Sequence, residues 1–222
     1  MEVLYLGHSG FSVRVGGKSV VFDPWLSGAS SGKRLVPPPF PPSAISRADA
    51  VVITHEHFDH CDPQTVEPLV SRTLCHVVGP AQALDLLDIP ERLKMPVNAG
   101  ERFSISGIDI SVHPAKHPQS ANPVGVRVEA GGESFYHAGD TYDFHEMIKI
   151  EALVGAVPIG GTFTMDLYSA ITAIKRMHLK HVIPMHYNTF SQIRADTRDF
   201  EYRAAKTHSI PHVLAPGESL YL

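Results

Sequence analysis

Thr54-His55-Glu56-His57-Phe58-Asp59-His60 is the stretch on which the reading of this chain turns. The pattern His55-x-His57-x-Asp59-His60 places three imidazoles and one carboxylate within six residues. It follows the apolar run Val51-Val52-Ile53, so it leaves the end of a buried strand, where a rigid scaffold can hold ligands. Strand alternation sends His55 and His57 to one side. Asp59 and His60 turn with the loop toward a helix expected to start at Asp62-Pro63, with Asp as N-cap and Pro at the first helical position. Imidazole and carboxylate together suit borderline metals such as zinc. A merely solvated loop would have no reason to combine strand context with ligand spacing.

Working outward, short β-branched and aromatic runs predict strands at Glu2–Leu6, Phe11–Val15, Ser19–Asp23 and Ala50–Thr54, with Gly16-Gly17 as a hairpin turn. Residues Ser27 to Pro42 read as a loop ending in the stiff run Pro37–Pro42. His76–Val78 reads as a strand, and Pro80 opens a helix through Leu87. The second half repeats the rhythm. Strands are expected at Arg102–Ile105, Ile108–His113, Val124–Glu129, Ser134–His137, Leu153–Pro158 and His181–Pro184. Asp166 caps a helix to about Met177, a last helix covers Thr197–Thr207, and an end strand covers Val213–Leu222 after Pro216-Gly217. Two packed sheets with helices outside satisfy this order, within one domain spanning residues 1–222.

The bulk properties agree with a globular enzyme. The chain has 222 residues, 43% of them hydrophobic, which suits one core. A net charge of −4 offers no drive toward nucleic acid. The two cysteines, Cys61 and Cys75, make no disulfide framework and read as free thiols in a reducing compartment. The first residues lack the basic and apolar regions of a signal peptide, and no run of about 18 apolar residues is present to span a membrane. The expected location is the cytoplasm and the expected partner a small-molecule substrate. A homo-oligomer stays open, with no residue to mark its interface.

The pattern at positions 55 to 60 resembles the H-x-H-x-D-H signature of the metallo-β-lactamase superfamily. The resemblance extends to Leu6-Gly7-His8-Ser9-Gly10-Phe11, Phe22-Asp23-Pro24-Trp25 and Ile183-Pro184-Met185-His186-Tyr187-Asn188-Thr189-Phe190. Within the superfamily these segments look like the small single-domain branch related to L-ascorbate-6-phosphate lactonase. The fold implied is α+β, an αββα sandwich of two mixed β-sheets with helices on the outer faces.

The resemblance also implies three further ligands. His113-Pro114-Ala115-Lys116-His117-Pro118 is similar to the family's H-T-P-G-H-T, with Lys116 in place of glycine, and selects His117. Gly139-Asp140-Thr141 matches its G-D-T, and His186 follows a late strand. His55, His57 and His117 would then hold one divalent ion, Asp59, His60 and His186 a second, and Asp140 would bridge both. Zinc and manganese both fit such ligands. The implied function is a metal-dependent hydrolase in which two ions share a hydroxide that cleaves an ester, lactone or phosphodiester bond. Asp59 would act in catalysis as well as ligation.

His8, in the turn between the first two strands, reads equally as a group that contacts a substrate oxyanion or donates a proton and as a hydrogen-bonded loop histidine. Asn188 and Tyr187 are expected to bind substrate or orient His186. Gly160-Gly161-Thr162 precedes a helix and reads as a plain turn, or as a seat for a phosphate or carboxylate beside Thr162. Trp25 and the proline run would wall the pocket. Two other classes compete with hydrolysis. An iron-dependent oxidoreductase uses the same scaffold, and a metal-stabilised sensor would hold metal without turnover.

Overall fold

The computed structural model describes residues 1–28 and 34–222. Residues 29–33 of the expected Ser27–Pro42 loop lie outside the described residues. The first half contains β1 (Glu2–Gly7), β2 (Gly10–Val15), β3 (Lys18–Phe22), β4 (Ala50–Val52), α1 (Pro63–Thr73), β5 (His76–Gly79), α2 (Ala81–Leu84) and β6 (Lys94–Pro96). The second half contains β7 (Arg102–Ile105), β8 (Ile108–Pro114), β9 (Val124–Ala130), β10 (Glu133–His137), β11 (Glu151–Pro158), α3 (Leu167–Arg176), β12 (His178–Met185), α4 (Thr197–Ala204), β13 (Ile210–Pro211) and β14 (Ser219–Tyr221).

Among the described residues these strands form two seven-stranded sheets, ordered β14-β1-β2-β3-β4-β5-β6 and β7-β8-β9-β10-β11-β12-β13. Both follow one plan. Each is antiparallel up to its fourth strand, β3 or β10, and parallel beyond it. Strands β1–β6 therefore correspond step for step to β8–β13, while β7 and β14 occupy equivalent edges. The last strand returns to the first sheet, with Val3 opposite Leu220.

Period-two alternation divides the first sheet into two apolar faces. Val3, Phe11, Val20, Phe22 and Val52 face the second sheet, in one core with Val126, Phe135 and Val154. Val21, Val51 and Val77 face outward and are covered by Val66, Leu69 and Val70 of α1. On the other side, α3 adds Ala170, Ile171 and Ile174 to the larger core. The layers are thus helix, sheet, sheet, helix, as expected.

Differences from the sequence reading are confined to short elements. Helix α2 ends at Leu84 instead of Leu87. Its continuation tightens into i→i+3 bonds, Leu86 N–H to Ala83 O and Leu87 N–H to Leu84 O. Strand β14 begins only at Ser219, and α4 stops at Ala204. Strand β6, with its single apolar residue Met95, is too short to show periodicity. Asp62 precedes α1 as expected, but its carboxylate accepts from Ser27 N–H and the Thr65 hydroxyl rather than from the helix amides.

The topology decides where chemistry can sit. Strands β1, β3, β4, β8, β10 and β12 all end at the same edge of the sandwich. Two backbone bonds tie the sheets there, Val124 N–H to Thr54 O at 3.1 Å and His186 N–H to His8 O at 2.8 Å. Phe135 joins the sheets further in, its ring centroid 5.2 Å from Phe22 and 5.7 Å from Phe11. Replacing it by Ala should cost about 3–5 kcal/mol of stability. The urea midpoint measures this, and the loss should be the same with and without bound metal.

Candidate metal centre

The His55–His60 loop leaves β4 at this edge. Thr54 anchors its start: both its N–H (2.8 Å) and its hydroxyl (2.6 Å) donate to the carboxylate of Asp23 at the end of β3. The loop then closes through His60 N–H and Cys61 N–H, which both donate to His57 O, and this reverses the chain toward α1. His117 enters from the β8–β9 loop, Asp140 from the end of β10 and His186 from the end of β12. All seven ligand residues inferred from the sequence come together.

They fall into two groups flanking Asp140. In the first, His57 Nδ1 lies 3.1 Å from His55 Nε2 and 3.3 Å from His117 Nε2. In the second, Asp59, His60 and His186 converge with His8, their ligand atoms all within 4.8 Å of one another. Asp140 Oδ2 is 3.1 Å from His186 Nε2, 3.9 Å from His117 Nε2 and 4.0 Å from His55 Nε2, and Oδ1 is 3.3 Å from His60 Nε2.

This donor set fits divalent cations. The outward nitrogens of His57, His117 and His55 face acceptors, so all three inward nitrogens present lone pairs and cannot hydrogen-bond one another. On the other side, the buried His60 Nε2 and Asp140 Oδ1, 3.3 Å apart, complete no hydrogen bond among the described residues. Buried polar atoms left unpaired are costly, and a cation that accepts their lone pairs removes the cost.

The outward-facing ring nitrogens are held by protein acceptors, which fixes tautomer and ring angle. His60 Nδ1 donates to Asp23 Oδ2 at 2.7 Å, His117 Nδ1 to Phe163 O at 3.1 Å and His57 Nε2 to Gln119 O at 3.2 Å. His55 Nδ1 is 3.1 Å from the Thr54 hydroxyl, which itself donates to Asp23. His186 Nδ1 is the exception and has no hydrogen-bond partner among the described residues.

Burial and mutual charge set the electrostatics. Burial opposes ionisation of Asp140, but His186 and His60 overcome it and hold the carboxyl well below its usual range. Burial likewise opposes a charge on His60, yet Asp140 and Asp23 raise it well above an ordinary histidine. Burial, then repulsion from His60, pushes His55 down, and burial with His186 takes His8 to about 4.

The backbone is strained at the same place. His8 (φ 59°), Asp23 (φ 39°) and His186 (φ 55°) occupy the left-handed region, at a cost of about 1–3 kcal/mol each. Two glycines permit the close packing. A Cβ on Gly139 would lie 2.7 Å from Val124 O, and one on Gly160 would lie 2.2 Å from His186 O.

A cavity of about 520 Å³ opens over the centre. His57, Asp59, His117, Asp140 and His186 form its floor, and Phe58, Phe163, Phe190 and Ile193 its walls. The other residues singled out in the sequence lie elsewhere. His8 is buried behind Asp59, with Nε2 3.0 Å from Asp59 Oδ2 and Nδ1 2.5 Å from the Thr189 hydroxyl. The Asn188 amide donates to Ala195 O and accepts from Ala195 N–H. Tyr187 packs on the core, and the Thr162 hydroxyl donates to Gln192 O. Asp166 does cap α3, accepting from Ser169 N–H. Trp25 does not line the cavity but backs its wall, with its ring centroid 5.7 Å from Phe58 and 5.6 Å from Phe190.

Sequence reasoning gave no role to Asp23 or Thr189. Asp23 carried a signal: it follows β3 as Asp140 follows β10, at the same place in the repeated plan.

The model of the β-lactamase superfamily domain matches residues 2–186. The chain belongs to this superfamily. Curated relatives narrow the membership to the UPF0173 metal-dependent hydrolases. One from Carboxydothermus hydrogenoformans is 32% identical, with all of both chains covered, and one from Pyrobaculum aerophilum is 35% identical over 99% of each. Among solved structures, a metallo hydrolase from Ignicoccus hospitalis superposes with a TM-score of 0.83 at 31% identity, covering 99% of this chain and 97% of that one. The superfamily member thus has a candidate His/Asp metal cluster on a fold shared with metal-dependent hydrolases.

Two outcomes follow from the geometry. Asp23→Asn keeps the side chain's shape but weakens the acceptor for His60, and should lower zinc affinity 10–100-fold in a chelator competition. The second concerns acid. His8 and His113 are held at about 4 and His137 is lowered, each chiefly by burial. The unfolded chain therefore binds more protons than the folded one between about pH 6.5 and pH 4, so stability falls as pH falls through that window. Urea midpoints of chelator-treated protein at pH 7, 5.5 and 4.5 should decrease in that order.

Proposed function

We propose that this protein hydrolyses an ester, lactone or phosphodiester bond at a centre of two divalent ions, zinc or manganese. The observation that carries this reading is the position of Asp140, whose carboxylate faces both ligand groups at once. His55, His57 and His117 would hold one ion, Asp59, His60 and His186 the other, with Asp140 shared. Metal so held would lower the pKa of a bound water and supply positive charge for the oxygen that becomes anionic in the substrate.

The remaining work falls to the protein's own groups. Asp59 lines the cavity and is held well below the usual carboxylate range, His8 and His60 overcoming the opposing effect of burial. It therefore stays an acceptor and can orient an attacking water by taking a hydrogen bond from it. His8 steadies Asp59: with Thr189 donating to Nδ1, the neutral ring donates from Nε2 to Asp59 Oδ2. Both ring nitrogens are thereby used, so His8 acts through Asp59 rather than as a further ligand.

Cys61 and Cys75 are buried free thiols, consistent with a reducing cytoplasmic setting. No helix among the described residues is long and apolar enough to cross a membrane.

The test is a panel of esters, lactones and phosphodiesters assayed after zinc or manganese loading, with metal counted on the same samples. We expect two ions per chain and turnover of one bond class. Asp59→Ala and Asp140→Asn should each lower kcat at least about a hundredfold. A protein that takes up no metal under any loading condition sinks the proposal. Dioxygen consumption with iron as the sole native metal and no hydrolysis would establish the oxidoreductase instead.

A further inference from the structure

We infer that the substrate is an uncharged ester or lactone carrying an aromatic or bulky aliphatic group, which seats against Phe58, Phe163 and Phe190. This rests on the hydrolytic reading above and selects within it against phosphodiesters and other anions.

The walls supply the first reason. Phe58 and Phe163 are 47% and 43% exposed, although both stand over a buried centre. Together with Phe190 and Ile193 they give an apolar surface continuous with the ligand floor. Two aromatic side chains kept open to solvent beside a reactive centre, with the half-buried Phe190 next to them, are a cost to the free protein unless a ligand covers them. A cavity of about 520 Å³ has room for a ring and a short chain in addition to the reacting group.

Charge supplies the second reason. No lysine or arginine among the described residues lines the cavity. Two described cations on neighbouring loops make contacts away from it. The Arg34 guanidinium lies over the ring of Trp25, 4.0 Å from its centroid, and donates to Val36 O and Trp25 O. Lys116 Nζ lies over Phe144, 5.4 Å from its centroid. Sites for phosphate or carboxylate substrates use arginine or lysine for that recognition. Here the charged side chain that joins the ligands in lining the cavity is Glu56, an acid. Its carboxylate accepts from the Ser120 hydroxyl at 2.7 Å and from Ala121 N–H at 2.9 Å, fixing it at the rim. The other polar lining groups, Gln119 and Gln192, are neutral amides suited to carbonyl or ether oxygens.

Hydroxamates that share one metal-binding head group and differ in their tails test this. Zinc-loaded protein is titrated with acetohydroxamate, 4-phenylbutanohydroxamate and the monohydroxamate of succinic acid. Binding is read from the emission of Trp25, the chain's single tryptophan, and independently by calorimetry. Each buried methylene is worth about fourfold in Kd, so the phenyl tail should tighten binding at least about tenfold over acetohydroxamate. The carboxylate tail should bind no more tightly than acetohydroxamate. Phe163→Ala, which keeps the carbonyl that holds His117, should shrink the ratio between phenyl and acetyl probes. Equal affinities, a preference for the carboxylate tail, no binding of any probe, or an unchanged ratio in Phe163→Ala each overturn the inference. The two readings fail separately. A steep tail preference without hydrolysis of any panel member removes the enzymatic proposal and leaves only the apolar binding surface, and ester hydrolysis with a flat ratio removes this inference alone.

Discussion

The Asp23 carboxylate is the joint on which the centre depends. Buried at the end of β3, it accepts from Thr54 N–H, the Thr54 hydroxyl and His60 Nδ1. One side chain thus fixes where β4 ends, how the His55–His60 loop departs and which nitrogen of His60 faces inward. A buried carboxylate is tolerable only with several donors around it, and here those donors belong to the residues that must be positioned. The left-handed backbone of Asp23 is a local cost of bringing its oxygens to that point.

The rest of the site extends the same logic. Parallel strand ends put ligands on one edge, and hydrogen bonds to backbone carbonyls orient the rings of His57 and His117. The residues that wall the cavity come from loops as well. Phe58 lies within the ligand loop, Phe163 after β11 and Phe190 after β12. Ligands and wall residues thus share one set of strand-end loops, and hydrogen bonds to Asp23, Phe163 O and Gln119 O hold the ligand rings in place.

Several of these features were legible in the sequence for physical reasons. The run Val51-Val52-Ile53 announces a buried strand, and the four ligand-type side chains after it are local, so little tertiary information is needed to group them. The strands around Gly16-Gly17, Gly107 and Gly131-Gly132 carry both turn chemistry and alternation. His117, Asp140 and His186 required family resemblance, because spacing alone cannot bring three distant strand ends together. Asn188, Tyr187 and Thr162 could not be placed from sequence adjacency alone. Asn188 and Thr162 sit at positive φ (59° and 61°) in turns that direct their polar groups to loop backbone, and Tyr187, next to His186, turns toward the core. The role of Asp23 stayed hidden because it arises from the parallel pairing of β3 with β4, a long-range fact.

The repeated plan of the two sheets has a mechanical consequence. The first half contributes His55, His57, Asp59 and His60, and the second contributes His117, Asp140 and His186. Ions shared across that seam would work as cross-links between two similar lobes, closing long chain segments between His55 and His186. Cross-links over such long contours act on the unfolded ensemble, whose freedom they remove, as much as on the native contacts. The cofactor that serves the chemistry would thus also serve as the fold's non-covalent staple.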